Sequence, residues 1–184
     1  QSIVTETNVV SGSTTSKVRL ISDNTVDYTG TGGGTAQQGW YIDLVSPVDG
    51  AQGERVIADP QLRDAQDTPV ILLNTFVPGG SCQSVGGFSA LMVLDALNGS
   101  RTDFAVFDLN NDETIDNSDT QDGTGFAFNG RVQDQSVSAV TVVSNGDATQ
   151  NFVIQSSTQS VSPTISAVAG SISNLGRQSW RQLQ

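Results

Sequence analysis

Val137-Ser-Ala-Val-Thr-Val-Val143, then Asn145-Gly146, then Phe152-Val-Ile-Gln155 is the stretch from which the fold is read. Both runs are rich in β-branched residues, which suit a pleated, half-buried surface. Asn-Gly between them supplies the positive φ angles of a type I′ turn, so the stretch is expected to be an antiparallel hairpin.

Similar runs recur upstream. Val70 to Val77 is continuously apolar and reads as a buried central strand, and Phe88 to Leu94 reads as another. Ser2 to Val10 alternates Val, Ile and Thr with polar residues, carries only Glu6 as a charge and has no proline. No hairpin partner is evident beside it, so it is expected to complete a neighbouring sheet. Lys17 to Ser22 follows a Gly-Ser-Thr-Thr turn. Trp40 to Val45 reads as a strand, Arg55 to Ala58 as a short one, and Phe104 to Phe107 and Phe126 to Phe128 as two more around an acidic loop. No segment holds a helical period; Ile165 to Leu175 is the nearest, and Gly170 argues against it. About ten strands at intervals of roughly 10 to 15 residues give an all-β chain of sandwich-like or partial propeller-like antiparallel sheets.

Composition agrees. The chain has 184 residues, 36 % of them hydrophobic, which suits one domain over residues 1–184. The formal net charge is −11 and there is no His. Such a chain should repel nucleic acid and anionic membranes and attract cations. Without His, the commonest general base and every His-dependent triad are excluded. Cys82 is the single cysteine, so no disulfide forms within the chain. No apolar run approaches the roughly 20 residues of a membrane span, and the start at Gln1 suggests a piece of a longer, processed precursor.

The acidic loop is Asp108-Leu-Asn-Asn-Asp-Glu-Thr-Ile-Asp-Asn-Ser-Asp119. Oxygen-bearing side chains fall at loop positions 1, 3, 5, 9 and 12: Asp108, Asn110, Asp112, Asp116 and Asp119. Thr114 stands at position 7, where a backbone carbonyl serves, and Ile115 at position 8, where an apolar side chain anchors the loop. Calcium needs six to eight hard oxygen ligands, and this register matches the EF-hand pattern. Glu113 replaces the glycine of position 6, so the sharp turn needs altered backbone. Asp119 is shorter than the usual Glu of position 12. The flanks are strand-like, so the ion is expected in a strand connection. All ligands are hard oxygens, so calcium should be preferred to zinc.

Other constellations are thin. Asp43, Asp49, Asp59 and Asp95 are explained by turns and strand ends, and no pair of them makes a convincing glycosidase dyad. Gly32-Gly33-Gly34 lacks the Lys of a phosphate loop, Ser81 and Ser89 lack a base, and Asn98-Gly99-Ser100 reads as a turn before a glycosylation acceptor. Trp40 and Trp180 read as anchors.

Gly39-Trp-Tyr-Ile-Asp-Leu44, Gly53-Glu-Arg-Val-Ile-Ala-Asp-Pro60, Pro78 to Gly87 with Cys82, Leu91-Met-Val-Leu-Asp-Ala-Leu-Asn-Gly99 and the ending Gly176-Arg-Gln-Ser-Trp-Arg-Gln-Leu-Gln184 follow one another in this order. Together they resemble the C-terminal region of PilY-type proteins, the type IV pilus biogenesis and tip-adhesin proteins of bacteria. The loop Asp108 to Asp116 falls where that family has a calcium site. The resemblance implies a modified β-propeller, secretion to the cell surface, calcium control of the pilus and surface attachment. The expected protein is therefore non-enzymatic, extracellular and calcium-binding. Its partners would be pilus components, a surface receptor or copies of itself. The alternatives are a subunit of an extracellular fibre joined by strand addition and, last, a secreted hydrolase.

Overall fold

The computed structural model describes residues 1–11, 14–46, 48–79, 87–121, 125–144, 149–156 and 164–168. Ser81, Cys82, the Asn145-Gly146 turn, Trp180 and the ending Gly176 to Gln184 lie outside the described residues.

The strands are β1 (Val4–Ser11), β2 (Thr14–Ile21), β3 (Arg55–Val56), β4 (Gln61–Ala65), β5 (Thr68–Val77), β6 (Phe88–Asp95), β7 (Gly130–Gln133), β8 (Val137–Ser144), β9 (Thr149–Ser156) and β10 (Thr164–Val168). Seven form one sheet in the order β1-β2-β7-β6-β5-β3, with β4 also on β5; the other three form a sheet ordered β10-β9-β8. All pairings between these strands are antiparallel. The chain is thus all-β, and among the described residues neither sheet closes into a barrel or ring.

The apolar run Val70 to Val77 is the buried centre expected of it, because β5 is flanked by β6 along its length and by β3 and β4 on the other side. Its alternate residues feed two cores. Val70 and Leu72 join Val18, Leu91, Val93, Phe107, Leu109, Phe128 and Phe152 on one face. Leu73 joins Val4, Ile21, Met92 and Leu94 on the other. The small sheet covers the first face, and large-sheet side chains bond its β8 backbone. Asn74 Nδ2 donates to the Val137 carbonyl (2.8 Å), Ser89 Oγ accepts from the Val137 N–H (2.8 Å), and Gln61 Nε2 donates to the Val140 carbonyl (2.9 Å).

Three expectations are corrected. Ser2 to Val10 does have a partner beside it: β1 pairs β2 from Val4↔Ile21 to Ser11↔Thr14, across a two-residue connection. Trp40 to Val45 is not a strand. It lies over the second face, where Trp40, Ile42 and Leu44 pack. A segment on a sheet's face finds no ladder to join, and Ile42 makes only one isolated bridge, to Ser2. Phe104 to Phe107 and Phe126 to Phe128 are also irregular, with Ala127 bridged to Thr120 alone. Within Ile165 to Leu175, the described residues to Val168 are strand, and the rest lie outside the description.

The face-covering segment is tied down by charge. Arg19 is only 1 % exposed. Its Nη2 lies 2.7 Å from Glu6 Oε1, and it forms a two-pronged pair with Glu54, donating from Nη2 to Oε2 at 2.9 Å. Thr75 also donates to Glu54. Lys17 Nζ reaches the second oxygen of Glu6 at 3.1 Å. Burial pushes the Glu6 carboxyl up, but the charge of Arg19 and hydrogen bonds from Lys17 and Arg19 outweigh it, so the group sits below its ordinary value. A depressed carboxyl lends stability that is complete above its unfolded value, 4.5, and is lost as pH falls through the lower folded value. Urea midpoints should therefore fall below about pH 4.5, and Glu6→Gln should flatten that fall. A wild-type midpoint insensitive to acid down to pH 3 would contradict the assignment.

Candidate metal centre

Phe107 and Leu109 are buried in the first core and fix the entry to the acidic loop. The exit is fixed by Thr120, bridged to Ala127. Between these ends the chain folds on its own side chains. Asp108 is 6 % exposed, and its two oxygens accept from the N–H groups of Asn111 (2.6 Å) and Glu113 (3.1 Å). Asn110 Oδ1 accepts from the Asp112 N–H, Asp112 Oδ1 from the Thr114 N–H, and Asp116 Oδ1 from the Ser118 N–H. Asn110 Nδ2 donates to Asp112 Oδ2 at 2.9 Å and Ser118 Oγ at 2.7 Å. Asn111 and Glu113 take φ of 60° and 66°. Position 6 therefore has the left-handed conformation for which glycine is usual, reached here by Glu, at a cost of about 1 kcal/mol.

Asp119, like Asp108, is held by backbone N–H groups. One oxygen accepts from the N–H groups of Leu109 (2.7 Å) and Asn110 (3.3 Å), the other from the Asp116 N–H (3.1 Å). With Asp116 it forms a capping box around the 3₁₀ turn Asn117–Asp119. Burial pushes the Asp119 carboxyl up against those three N–H groups, and the Asp108 charge adds to the rise. The hydroxyl and N–H of Ser118 pull the exposed Asp116 down.

The structure thus brings Asn110, Asp112 and Ser118 together, keeps Asp108 and Asp119 on backbone N–H groups, and leaves Asp112, Thr114 and Asp116 exposed. Ile115 is half-buried. Among the described residues, no three carboxylates stand close enough to form a metal-holding group. The donor set fits a hard divalent cation in chemistry, because every candidate ligand atom is oxygen. Sequence reading missed Ser118 as a member and Asp119 as the hub. The spacing Asp116-x-x-Asp119 is the signal that could have found the capping box.

Elsewhere, Asp27 accepts from the N–H groups of Gly32, Thr29 and Gly30 and from the Thr29 hydroxyl, which hold its carboxyl down at about 2. It stitches its own loop. The Asn98 side chain is taken up by Asp95 and the Val26 N–H, as befits a turn.

No family model matches the chain. Type IV pilus biogenesis factor PilY1 from Pseudomonas aeruginosa strain UCBPP-PA14 is 32 % identical over 192 residues, covering 100 % of this chain and 15 % of the relative. A PilY1 homolog from Xylella fastidiosa strain Temecula1 is 30 % identical over 150 residues, 79 % of this chain and 11 % of the relative. The crystal structure of the Pseudomonas aeruginosa PilY1 C-terminal domain shares the fold at a TM-score of 0.69 and 24 % identity, over 90 % of this chain and 30 % of that one. The chain therefore spans 11 to 15 % of the length of these curated relatives.

Proposed function

We propose that this chain, a region of the PilY1 C-terminal type, binds one calcium ion at Asp108–Asp116 and serves, outside the cell, a protein of type IV pilus biogenesis. Asp108, Asn110, Asp112 and Asp116 would supply side-chain oxygens and Thr114 its carbonyl. Asp119 would hold the loop's shape from behind. The role is one of binding, without catalysis. One observation supports the reading: Glu113 adopts φ 66°, the left-handed conformation for which the pattern has glycine, while Asp108 gathers the Asn111 and Glu113 N–H groups. Similarity to PilY1 over the chain's whole length supports the pilus assignment.

Loop modules outside cells bind calcium at about 10⁻⁴ to 10⁻³ M. At millimolar calcium, linkage then adds roughly 0.4 to 1.4 kcal/mol of stability. Melting in millimolar calcium should exceed melting in chelator, and Asp112→Ala should remove the difference. Equal melting of the wild type in both buffers would refute calcium binding. Retention of minor pilins by the immobilised chain tests the pilus assignment.

A second reading keeps one favourable observation. Among the described residues nothing pairs with the outer side of β1, so copies of the chain could join there by strand addition. Light scattering that gives only monomer at high concentration removes that reading.

A further inference from the structure

β2 and β7 begin as neighbours and then part. They pair at Val18↔Arg131 and Arg19↔Gly130 only. Beyond Val18, residues 14–17 of β2 still pair β1, and Val132 and Gln133 of β7 still pair β6. Toward each other, these residues have no ladder partner among the described residues. The sheet therefore splits into a cleft with two facing strand edges and an inner end closed by Val18 and Arg131. An unpaired edge is a template for another strand, because its N–H and C=O groups keep their capacity to bond.

The cleft is open space. A hollow of about 430 Å³ lies along it, lined by Thr15, Ser16, Arg131, Val132, Gln133 and Asp134 among others. A volume of that order accepts a small ligand or the end of a peptide. Its polar side chains are unspent. Ser16 is buried, yet among the described residues neither its hydroxyl nor the Gln133 amide closes a hydrogen bond. Arg19, Arg55, Arg63 and Arg101 each donate a hydrogen bond from the side chain, and Lys17 is paired with Glu6. Arg131 is half-buried, and among the described residues it is the one Lys or Arg side chain with neither a hydrogen bond nor an ion pair. A guanidinium taken partly out of water is costly to leave unpaired. Its planar set of N–H donors matches a carboxylate. Asp134, which is exposed, shares the lining, so one carboxylate is tolerated better than a phosphate or a polyanion.

An extended chain that enters the cleft meets its closed end at Val18 and Arg131. It cannot run on, so what reaches Arg131 is the terminus of that chain. We propose that the cleft between β2 and β7 docks the carboxyl-terminal strand of a partner protein: the strand adds to a free edge, and its terminal carboxylate is held by Arg131 with Ser16 and Gln133 beside it. Strand addition supplies affinity through main-chain bonds, and capture of the carboxylate selects a chain end. This docking does not depend on the calcium loop.

The test is fluorescence polarisation with the full chain and a labelled short peptide of alternating Val and Thr. The peptide is made as the free acid, as the amide, and as an amide ending in Glu. The free acid should bind saturably, and amidation should weaken binding at least about tenfold. Arg131→Gln should lose as much for the free acid and should no longer distinguish acid from amide. Methylation of alternate backbone nitrogens in the free acid should abolish saturation, because the ladder bonds are lost. Acid and amide binding alike, or Arg131→Gln binding the acid as the wild type does, overturns the proposal; docking on the outer edge of β1 gives that result. Unchanged binding after methylation overturns strand addition, and no saturable binding of the free acid by the wild type overturns the site itself. Equal binding by the amide ending in Glu transfers the site to a side-chain carboxylate and overturns the chain-end assignment. If Arg131→Gln does not fold, the acid, amide and methylated peptides on the wild type decide the matter alone.

Discussion

Arg19→Met should lower stability by about 3 to 5 kcal/mol, which for a chain of this size is on the order of 10 °C in Tm. The reason is the company Arg19 keeps. Glu6 and Glu54 have side chains 1 % and 2 % exposed, and both are neutralised by this guanidinium. Removing it leaves two buried carboxylates, of which Lys17 reaches Glu6 and, among the described ion pairs, not Glu54. Gly130 belongs to the same design: a Cβ there would lie 2.8 Å from the Arg19 Cβ. The two carboxylates come from distant places, β1 and the residue before β3. Losing Arg19 should therefore loosen the covering segment as well as the sheet. Adding Glu6→Gln and Glu54→Gln to Arg19→Met should restore part of the loss, because the damage is unpaired charge. Chemical denaturation of the wild type, Arg19→Met and the triple variant measures this. A cost below about 1 kcal/mol for Arg19→Met, a value usual for exposed pairs, would mean that the network does not hold the fold.

Gly99→Ala should be nearly as damaging. Gly99 has φ 62°, and a Cβ there would stand 2.2 to 2.6 Å from the ring atoms of Trp40. Those distances cannot be absorbed by small shifts, so the indole must leave its place. Trp40 is held by its Nε1, which donates to the Ala96 carbonyl at 2.9 Å, and by packing on the second core. Ser2 Oγ donates to the Gly99 carbonyl at 2.6 Å, so the amino-terminal residues dock on the same spot. Expelling a large aromatic side chain costs about 3 to 5 kcal/mol. The control is Gly125→Ala, with φ 82° and no atom within 4 Å of its Cβ. That change carries only the backbone term of about 1 kcal/mol. Denaturation midpoints of the two variants separate clash from strain. Equal losses would show that Trp40 does not pack on Gly99 in solution.

The legible parts of this fold are those where one residue pattern has one physical meaning. The runs at Val70 and Phe88 could only be buried strands, and they became β5 and β6. The runs at Val137 and Phe152 became β8 and β9, paired antiparallel with a register shift between Val137 and Ala139. β4 was not legible. Its Leu62 is 70 % exposed while Gln61 and Arg63 are half-buried, so the burial alternates against the hydrophobic pattern. Its hairpin to β5 turns on Gln66 and Asp67, whose positive φ of 48° and 60° the sequence does not advertise. Trp40 to Val45 misled because a chain lying on a sheet's face also buries alternate residues. Arg19 reads as a solvent-facing charge within an alternating strand; only the return of Glu54 to the sheet explains its burial. At the loop, spacing marked Asp108, Asn110, Asp112, Thr114, Asp116 and Asp119 alike, because spacing reads residue types and not which oxygens the backbone takes up. Asp119 and Asp108 both spend their two oxygens on backbone N–H groups.

The most direct measurement is X-ray diffraction from crystals of this chain held in millimolar calcium, at a wavelength where calcium scatters anomalously. The account predicts one peak within the loop, with oxygens of Asp108, Asn110, Asp112, Thr114 and Asp116 at about 2.3 to 2.6 Å and Asp119 still bound to the N–H groups of Leu109 and Asp116. No peak at Asp108–Asp116, with Asn110 still donating to Asp112 and Ser118, would contradict it.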